Sequence, residues 1–313
     1  MSKKIGKVAV LKGGRSLERN ISLKSGARVE KALVELGYSV EGIDVDARLV
    51  RRLKEMKPDA AFIAMHGKSG EDGTVQELLD ILGIPYTGSA VLPSIRCMDK
   101  VLSKHIFVAD GIPTPRFYAF NRDAFQELGA VDTMPIIAKE LEFPIVVKPS
   151  GQGSALGVRF AHNAEQLPAA LISAFSFDNK VLLEKYVKGR ELAVSIIGKE
   201  PRALPVVEAI PKTEFFDFES RYTIGKADYV VPAEIPPDLA SRAVEISLQA
   251  FNSLQCAGFG RVDLILDESG GLWCLEINTI PGFTETSLLP MAAQSAGLSF
   301  GQMVEEILLC ATD

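Results

Sequence analysis

Short apolar runs alternate with stretches of helical spacing through the first part of the chain. Lys7 to Leu11, Tyr38 to Val45 and Ala60 to Met65 are β-type runs, whereas Ser22 to Leu36 and Ala47 to Met56 carry helical spacing. That alternation predicts a small doubly wound parallel layer ending near Thr87. Ligands gather at the carboxyl ends of the strands in such sheets, where Gly13, Gly14, Glu18 and His66 would all lie. GKSGEDGT after His66 reads as a loop of turn residues, with Thr74 capping the next helix. The prolines and glycines of IPYTGSAVLPS mark a break near residue 90.

Beyond that break the pattern changes. Asp99 to Ala109 is helical; then a buried strand, Ile145 to Val147, delivers Lys148 to a glycine-rich loop, and a second strand, Leu156 to Phe160, leaves it. Gly151, Gly153 and Gly157 let backbone N–H groups approach an anion, and Lys148 adds a fixed positive charge. A strand follows this loop where the Walker and dinucleotide motifs require a helix, which disfavours a Rossmann oxidoreductase; a plain hairpin turn also fits the glycines. KVLLEKYVKGRELAVSIIG reads as two strands around Lys188 and Gly189, the first with a charge on each face, as in an exposed edge strand or a connector that reads an adenine edge. PKTEFFDFESRYTIGKADYVVP is an aromatic, weakly periodic segment of the kind that forms a lid. Pro236 to Leu254 has the spacing of a core-packing helix.

The last hairpin carries the clearest chemistry. Arg261, Asp263 and Ile265 point one way and Val262, Leu264 and Leu266 the other; from Leu272 to Asn278, Trp273, Leu275 and Ile277 form an apolar set opposite Cys274, Glu276 and Asn278. With residues 268–271 as the loop, Asp263 faces Glu276 and Arg261 faces Asn278. Directly opposed Cβ atoms lie roughly 4.5–5.5 Å apart, and like charges so placed repel unless something cationic lies between them. Asp, Glu and Asn offer only oxygen ligands, which suits a hard divalent cation; a solvated face with two acids is the alternative.

Composition narrows the partners. The chain has 313 residues and a formal charge of −6, so the whole molecule offers no basic field for nucleic acid, although a local phosphate pocket remains compatible. The amino terminus lacks the apolar core of a signal peptide, and no run approaches the roughly 20 apolar residues of a membrane span. Cys97, Cys256, Cys274 and Cys310 are scattered and read as reduced thiols of a cytoplasmic protein.

Taken in order, G-G-R-S-x-E-R, M-H-G-K-x-G-E-D-G, K-P-S-x-x-G-S, E-K-Y-x-x-G-x-E, G-R-V-D and E-I-N-T-I-P-G-F-T resemble the D-alanine:D-alanine ligases of the ATP-grasp superfamily, from Val8 to about Leu309. The resemblance implies an α/β chain with α+β elements: an amino-terminal substrate-binding domain over 1–90, a central ATP-grasp subdomain over 91–187, and a carboxy-terminal subdomain with lid and metal site over 188–313. It implies ATP and D-alanine as substrates, two magnesium ions with manganese as an alternative, and a homodimer without nucleic acid or membrane partners. Lys100 and Lys148, with the loop at Gly153, would hold the phosphates, and Arg221 would add a charge from the lid. Glu184, Lys185 and the backbone near Val187 would cradle adenine, with Glu191 on the ribose. Asp263, Glu276 and Asn278 would bind the metals. Glu18 would orient the first D-alanine's ammonium within a set formed with Ser154 and Tyr222, and His66 and Ser287 would contact the second substrate. Arg261 and the N–H of Gly282 would stabilise the oxyanion.

Taken alone, several of these residues keep plainer readings: Glu18 as a helix-start acid, Ser154 as a turn serine, Arg261 as a partner for Asp263 or Glu276. Two positions depart from the family pattern. Arg221 stands where a lysine precedes the lid tyrosine, and Ala155 where a second serine is common, which puts the closed-lid geometry in question. Rival expectations are a ligase taking D-lactate or D-serine as its second substrate, although the resemblance associates Tyr222 with a dipeptide product and a histidine there with the depsipeptide-forming relatives, and a nucleotide-binding protein without catalysis.

Overall fold

The computed structural model describes residues 5–212 and 227–312. Its first layer is a parallel sheet in the order β2-β1-β3, with β1 at Lys7–Lys12, β2 at Ser39–Asp44 and β3 at Ala60–Ile63. Val8, Ala9, Val10 and Leu11 are all fully buried because a parallel sheet covered on both faces has no solvent side. α1 (Arg19–Glu35) and α2 (Leu49–Met56) make the crossovers, and α2 buries Leu49, Leu53 and Met56 at helical spacing. After α3 (Thr74–Leu82) the chain returns to β3, where Thr87 takes the Ile63 N–H on its hydroxyl at 3.0 Å. Thr74 is the first residue of α3 and not its cap: Gly73 holds the cap position, and the Asp72 carboxylate accepts the Thr74 N–H at 3.0 Å.

Two helices, α4 (Val91–Met98) and α5 (Lys100–Ala109), lead out of this layer. Asp99 caps α5, its carboxylate accepting from the Val101 and Leu102 N–H groups, and also takes Lys180 Nζ at 2.8 Å. A second, antiparallel sheet follows in the order β4-β7-β5-β6: β4 Phe117–Asn121, β5 Ile145–Pro149, β6 Arg159–Ala161 and β7 Lys180–Lys185. It packs one face on α7 (Met134–Leu141) and α8 (Leu167–Phe175), with the short α6 (Arg122–Glu127) beside them. β7 lies inside this sheet, so the edge-strand expectation is wrong: Val181, Leu182, Leu183 and Glu184 are all buried. The strand after the glycine-rich loop also starts later than Leu156, at Arg159, because Ser154, Ala155 and Gly157 turn through left-handed backbone.

The third sheet runs β11-β10-β8-β12-β13, with β9 (Arg202–Ala203) pairing β8. Its strands are β8 Gly189–Ile197, β10 Val207–Pro211, β11 Ala227–Val230, β12 Phe259–Asp267 and β13 Leu272–Asn278. α9 (Pro237–Ser253) covers one face, with Ala243, Ala250 and Phe251 packed on Val262, Leu264 and Ile277. On the other face Ala193, Ile197 and Val207 join the core of the first layer, whereas Glu191, Ile265 and Leu275 border the space toward the second sheet. α10 (Leu288–Ser295) and α11 (Phe300–Leu309), the latter with a Ser299/Gln302 capping box, return to the first layer, and Leu289, Met303 and Ile307 share its core. Among the described residues no helix is long and apolar enough to cross a membrane. All four cysteines are free thiols.

Candidate active site

The β12–β13 hairpin has the expected register: Arg261 pairs Asn278 and Asp263 pairs Glu276 across a loop at residues 268–271. Its alternation does not persist. The register shifts between Asp263 and Leu264, whose partners are Glu276 and Cys274, so Leu275 is an extra residue. This bulge reverses the side-chain phase along β13. Leu272, Cys274 and Ile277 therefore enter the core, whereas Trp273 turns away and donates its indole N–H to Asp267 at 2.7 Å. Leu275 and Glu276 both face the space between the two antiparallel sheets.

The opposed acids carry the cations that their proximity demands. Arg261 is bidentate on Asp263, Nε to Oδ1 at 2.6 Å and Nη2 to Oδ2 at 2.8 Å, with both side chains nearly buried. Lys100 Nζ sits 3.1 Å from Glu276 and donates to the Gln152 carbonyl at 2.8 Å. Asn278 Oδ1 accepts the Ile280 N–H at 3.0 Å, which fixes the amide oxygen. Asp263, Glu276 and Asn278 thus form an oxygen-only set on neighbouring strands and fit a hard divalent ion, with Arg261 and Lys100 as the local countercharges.

Between the second and third sheets lies a cavity of about 800 Å³ bordered by Lys148, Lys185, Val187, Glu191, Ile265 and Leu275. Its volume falls in the range of small-molecule sites. Glu184 also borders it, but gives one carboxylate oxygen to Lys148 and the other to Lys104. Burial pushes its carboxyl up, yet Lys104 and Lys148 outweigh that and hold it below the ordinary carboxylate value. Lys185 reaches outward to Glu142 at 2.8 Å, leaving backbone as its contribution to the cavity wall. Lys148 stands at the end of β5, as its sequence position required.

A narrow crevice lined by Lys100, Gly153, Ser154, Glu276 and Asn278 joins this cavity to a second cluster. There Glu18, only 1% exposed, occupies the cap position of α1 without capping it. Its carboxylate lies against Gly67 and Gly153: a Cβ on Gly67 would fall 2.3 Å from one oxygen, and one on Gly153 would fall 3.0 Å from the other. Gly67 also has φ of +72°, so both space and backbone require glycine there. Neither Glu18 oxygen has a hydrogen-bonding partner among the described residues. Burial raises its pKa and neighbouring Glu71 raises it further, against smaller opposing effects from its own backbone and the Ser16 and Ser154 hydroxyls. Ser154 and Ala155 both sit at positive φ, +55° and +56°, strained conformations for residues with a Cβ.

His66 holds this cluster to the carboxy-terminal loop. A carbonyl can only accept, so Nδ1 carries the proton donated to Ile280 O at 3.0 Å, and Nε2 accepts from the Ser25 hydroxyl at 2.9 Å. Ser25 Oγ in turn accepts the Phe283 N–H at 3.1 Å, and Arg28 donates to the Phe283 carbonyl at 2.6 Å. Ser287 Oγ accepts from Thr284 N at 3.0 Å and would lie 2.5 Å from a Cβ on Gly282, so the loop is closed tightly at Gly282. Both ring nitrogens of His66 are therefore engaged by protein, and the ring braces one wall of the site. Tyr222 and Arg221 lie outside the described residues.

Glu71, Lys104 and Ser25 belong to this constellation and were not singled out in the sequence. Glu71 lies in a loop of turn residues, 3.7 Å from His66 Nδ1, where no periodicity marks it. Lys104 recurs four residues after Lys100 on α5, which places both ammonium groups on one helix face.

Known proteins resemble this chain along nearly its whole length. Residues 106–309 match the family described as D-ala D-ala ligase C-terminus and residues 49–89 the one described as D-ala D-ala ligase N-terminus. A D-alanine–D-alanine ligase of Carboxydothermus hydrogenoformans is 41% identical, over 97% of each chain, and one of Pelotomaculum thermopropionicum is 42% identical, over 96% of this chain and 95% of the relative. A crystal structure of the Bacillus anthracis D-alanine–D-alanine ligase superposes with a TM-score of 0.85 at 34% identity, covering 98% of this chain and 97% of that one. The VanG D-Ala:D-Ser ligase of Enterococcus faecalis superposes at 0.83 with 28% identity, covering 98% and 100%. With full-length likeness in sequence and in structure, and the same motifs converging on one cleft, the chain belongs to the D-alanine–D-alanine ligase family.

Proposed function

We propose that this cleft catalyses the ATP-dependent joining of two D-alanine molecules into D-alanyl-D-alanine, with release of ADP and phosphate, for peptidoglycan precursor synthesis. The observation that carries the reading is the continuity of three elements: a cavity bordered by Lys148, the opposed Asp263 and Glu276 beside Lys100, and the buried carboxylate of Glu18, which has no hydrogen-bonding partner among the described residues.

The residues suit the chemistry. A carboxylate is a poor acyl donor, so the first D-alanine attacks the γ-phosphate and becomes an acyl phosphate. Lys100 and Lys148 neutralise charge on the transferring group, which is most of what phosphoryl transfer asks of a protein. Asp263, Glu276 and Asn278 would hold magnesium, which would supply further charge neutralisation at the phosphates. Glu18 receives the ammonium of the first D-alanine and so fixes its carboxylate toward the phosphate. The amine of the second D-alanine then attacks the acyl carbon, and phosphate leaves. Arg261, held in one plane by Asp263, and the N–H of Gly282 donate to the tetrahedral oxyanion. His66 and Ser287 form the wall against which the second substrate sits, and Glu191 meets the ribose.

Phosphate release from ATP and magnesium, measured with and without D-alanine and coupled to mass spectrometry, tests the reading. Release that requires D-alanine and yields the dipeptide is expected. Turnover that prefers D-serine or D-lactate as the second substrate would overturn the dipeptide assignment, and ATP binding without D-alanine-dependent release would overturn the ligase. A homodimer belongs to the same proposal, and sedimentation equilibrium checks it.

Carboxylate removal should separate metal binding from stability. Asp263→Asn and Glu276→Gln are each expected to raise the magnesium concentration for half-maximal turnover by about tenfold or more. Asp263→Asn should also lower the apo protein's stability, because it strips Arg261 of a bidentate partner in a nearly buried site. Thermal melts in a chelator, beside a magnesium titration of turnover, check both; unchanged magnesium dependence would remove these residues from the metal set.

A further inference from the structure

Lys104 is a fully buried ammonium that the proposed chemistry does not use. It pairs with one oxygen of Glu184, donates to Thr114 Oγ1 at 2.6 Å and lies 5.6 Å from the centre of the Phe117 ring. Thr114 passes the contact on, donating to the Cys274 carbonyl of β13 at 2.7 Å. The other Glu184 oxygen holds Lys148. One buried carboxylate therefore bridges two lysines, from α5 and from β5, and only Lys148 borders the large cavity.

The charge count of this set decides what Lys148 presents to a ligand. With Lys104 in place the three groups sum to one positive charge at the cavity wall. Without it, Glu184 and Lys148 would form a neutral pair, and the ammonium would be drawn onto the carboxylate in a region where charges are weakly screened. We propose that Lys104 is a positioning residue for nucleotide binding: by occupying one oxygen of Glu184, it leaves net positive charge at Lys148 and fixes the direction of that side chain. The proposal rests on the reading that nucleotide phosphates lie at Lys148.

Calorimetric titration with ATP and magnesium, in the absence of D-alanine, provides the test, with KM for D-alanine measured alongside. Lys148→Met serves as the reference and should weaken ATP binding by about tenfold or more. Lys104→Met should weaken it by roughly tenfold while leaving KM for D-alanine within about twofold. Glu184→Gln alone sets the baseline for any loss of contact with the nucleotide; adding it to Lys104→Met removes the uncompensated negative charge, so the double variant should recover affinity to within about threefold of Glu184→Gln. A structural role alone would give Lys104→Met the same penalty in either background. Should Lys104→Met fail to fold, Lys104→Gln keeps an N–H donor toward Glu184 and reads the same loss of charge. Unchanged ATP affinity in a folded Lys104 variant, or no recovery in the double variant, overturns the proposal. Unchanged affinity in Lys148→Met overturns the phosphate assignment itself, and the role of Lys104 falls with it.

Discussion

Arg261→Met should lower kcat by about 10²–10³-fold while changing KM for ATP by less than about threefold. The guanidinium is held by Nε and Nη2 against Asp263, so its plane is set before any substrate arrives, and a preorganised donor costs no reorganisation when charge develops. Arg261→Lys retains the charge but not the fork, and should still lose at least about tenfold in kcat. Arg261→Met also leaves Asp263 facing Glu276 with one cation fewer, and breaking such a nearly buried pair costs about 3–5 kcal/mol. Magnesium offers the stranded carboxylates another countercharge, so its addition should raise the melting temperature of Arg261→Met more than that of the parent. Steady-state kinetics with paired melts check the two effects. A variant whose kcat is intact and whose loss lies wholly in stability would show that Arg261 only keeps Asp263 in place.

The hairpin that holds Arg261 shows where the sequence was legible and where it was not. The two outer pairs, Arg261 with Asn278 and Asp263 with Glu276, match the register that alternation and a four-residue loop give, but the pairs nearer the turn, such as Leu266 with Leu272, are one residue off it. The bulge at Leu275 was not readable, because an extra residue leaves each flanking stretch alternating normally and changes only their relative phase. Alternation likewise placed Glu184 on a strand face but could not show that two lysines, 36 and 80 residues away in the chain, meet it there. The first parallel layer was plain because β1 and β3 are continuous apolar runs separated by helices. Between residues 91 and 175 only one of the helices was foreseen: α4, α6 and α7 are short, and α8 carries apolar residues almost all round. Ordered motifs supplied the chemistry, and spatial juxtaposition supplied Glu71, Lys104 and Ser25.

The fold is common to ligases of different second substrates, since a D-Ala:D-Ser ligase superposes on this chain nearly as well as the D-alanine–D-alanine ligase from Bacillus anthracis. The choice must then rest on side chains around the acceptor. His66 has both nitrogens committed to Ser25 and Ile280, so under the proposed function it would shape the acceptor wall through a fixed ring and not through a spare hydrogen bond. Discrimination by a wall of this kind is modest, whereas a polar group aimed at a substrate hydroxyl discriminates strongly. The acceptor preference measured by competition therefore reports on residues beyond His66.

Glu18→Gln is expected to make the protein more stable and nearly inactive. Among the described residues the carboxylate has no hydrogen-bonding partner of good geometry, and its pKa lies above the ordinary 4.5 chiefly through burial and secondly through Glu71, which together outweigh the Ser16 and Ser154 hydroxyls. The folded state thus binds this proton more tightly than the unfolded state does. The associated stability is complete below the ordinary carboxylate pKa and is lost as pH rises through the raised folded value. At neutral pH the wild type consequently carries an unfavourable buried charge that glutamine removes, a gain of about 1–3 kcal/mol, or roughly 2–4 °C of melting temperature for each kcal/mol. At pH values below 4.5 the two proteins should converge. D-Alanine should stabilise the parent by binding its folded form and leave the variant unmoved, with KM for D-alanine raised about 10²-fold. Melts across pH, with and without D-alanine, read all of this at once. A variant that melts lower than the parent at neutral pH would mean that Glu18 is structurally paired, and one that still gains stability from D-alanine would remove it from the ammonium site.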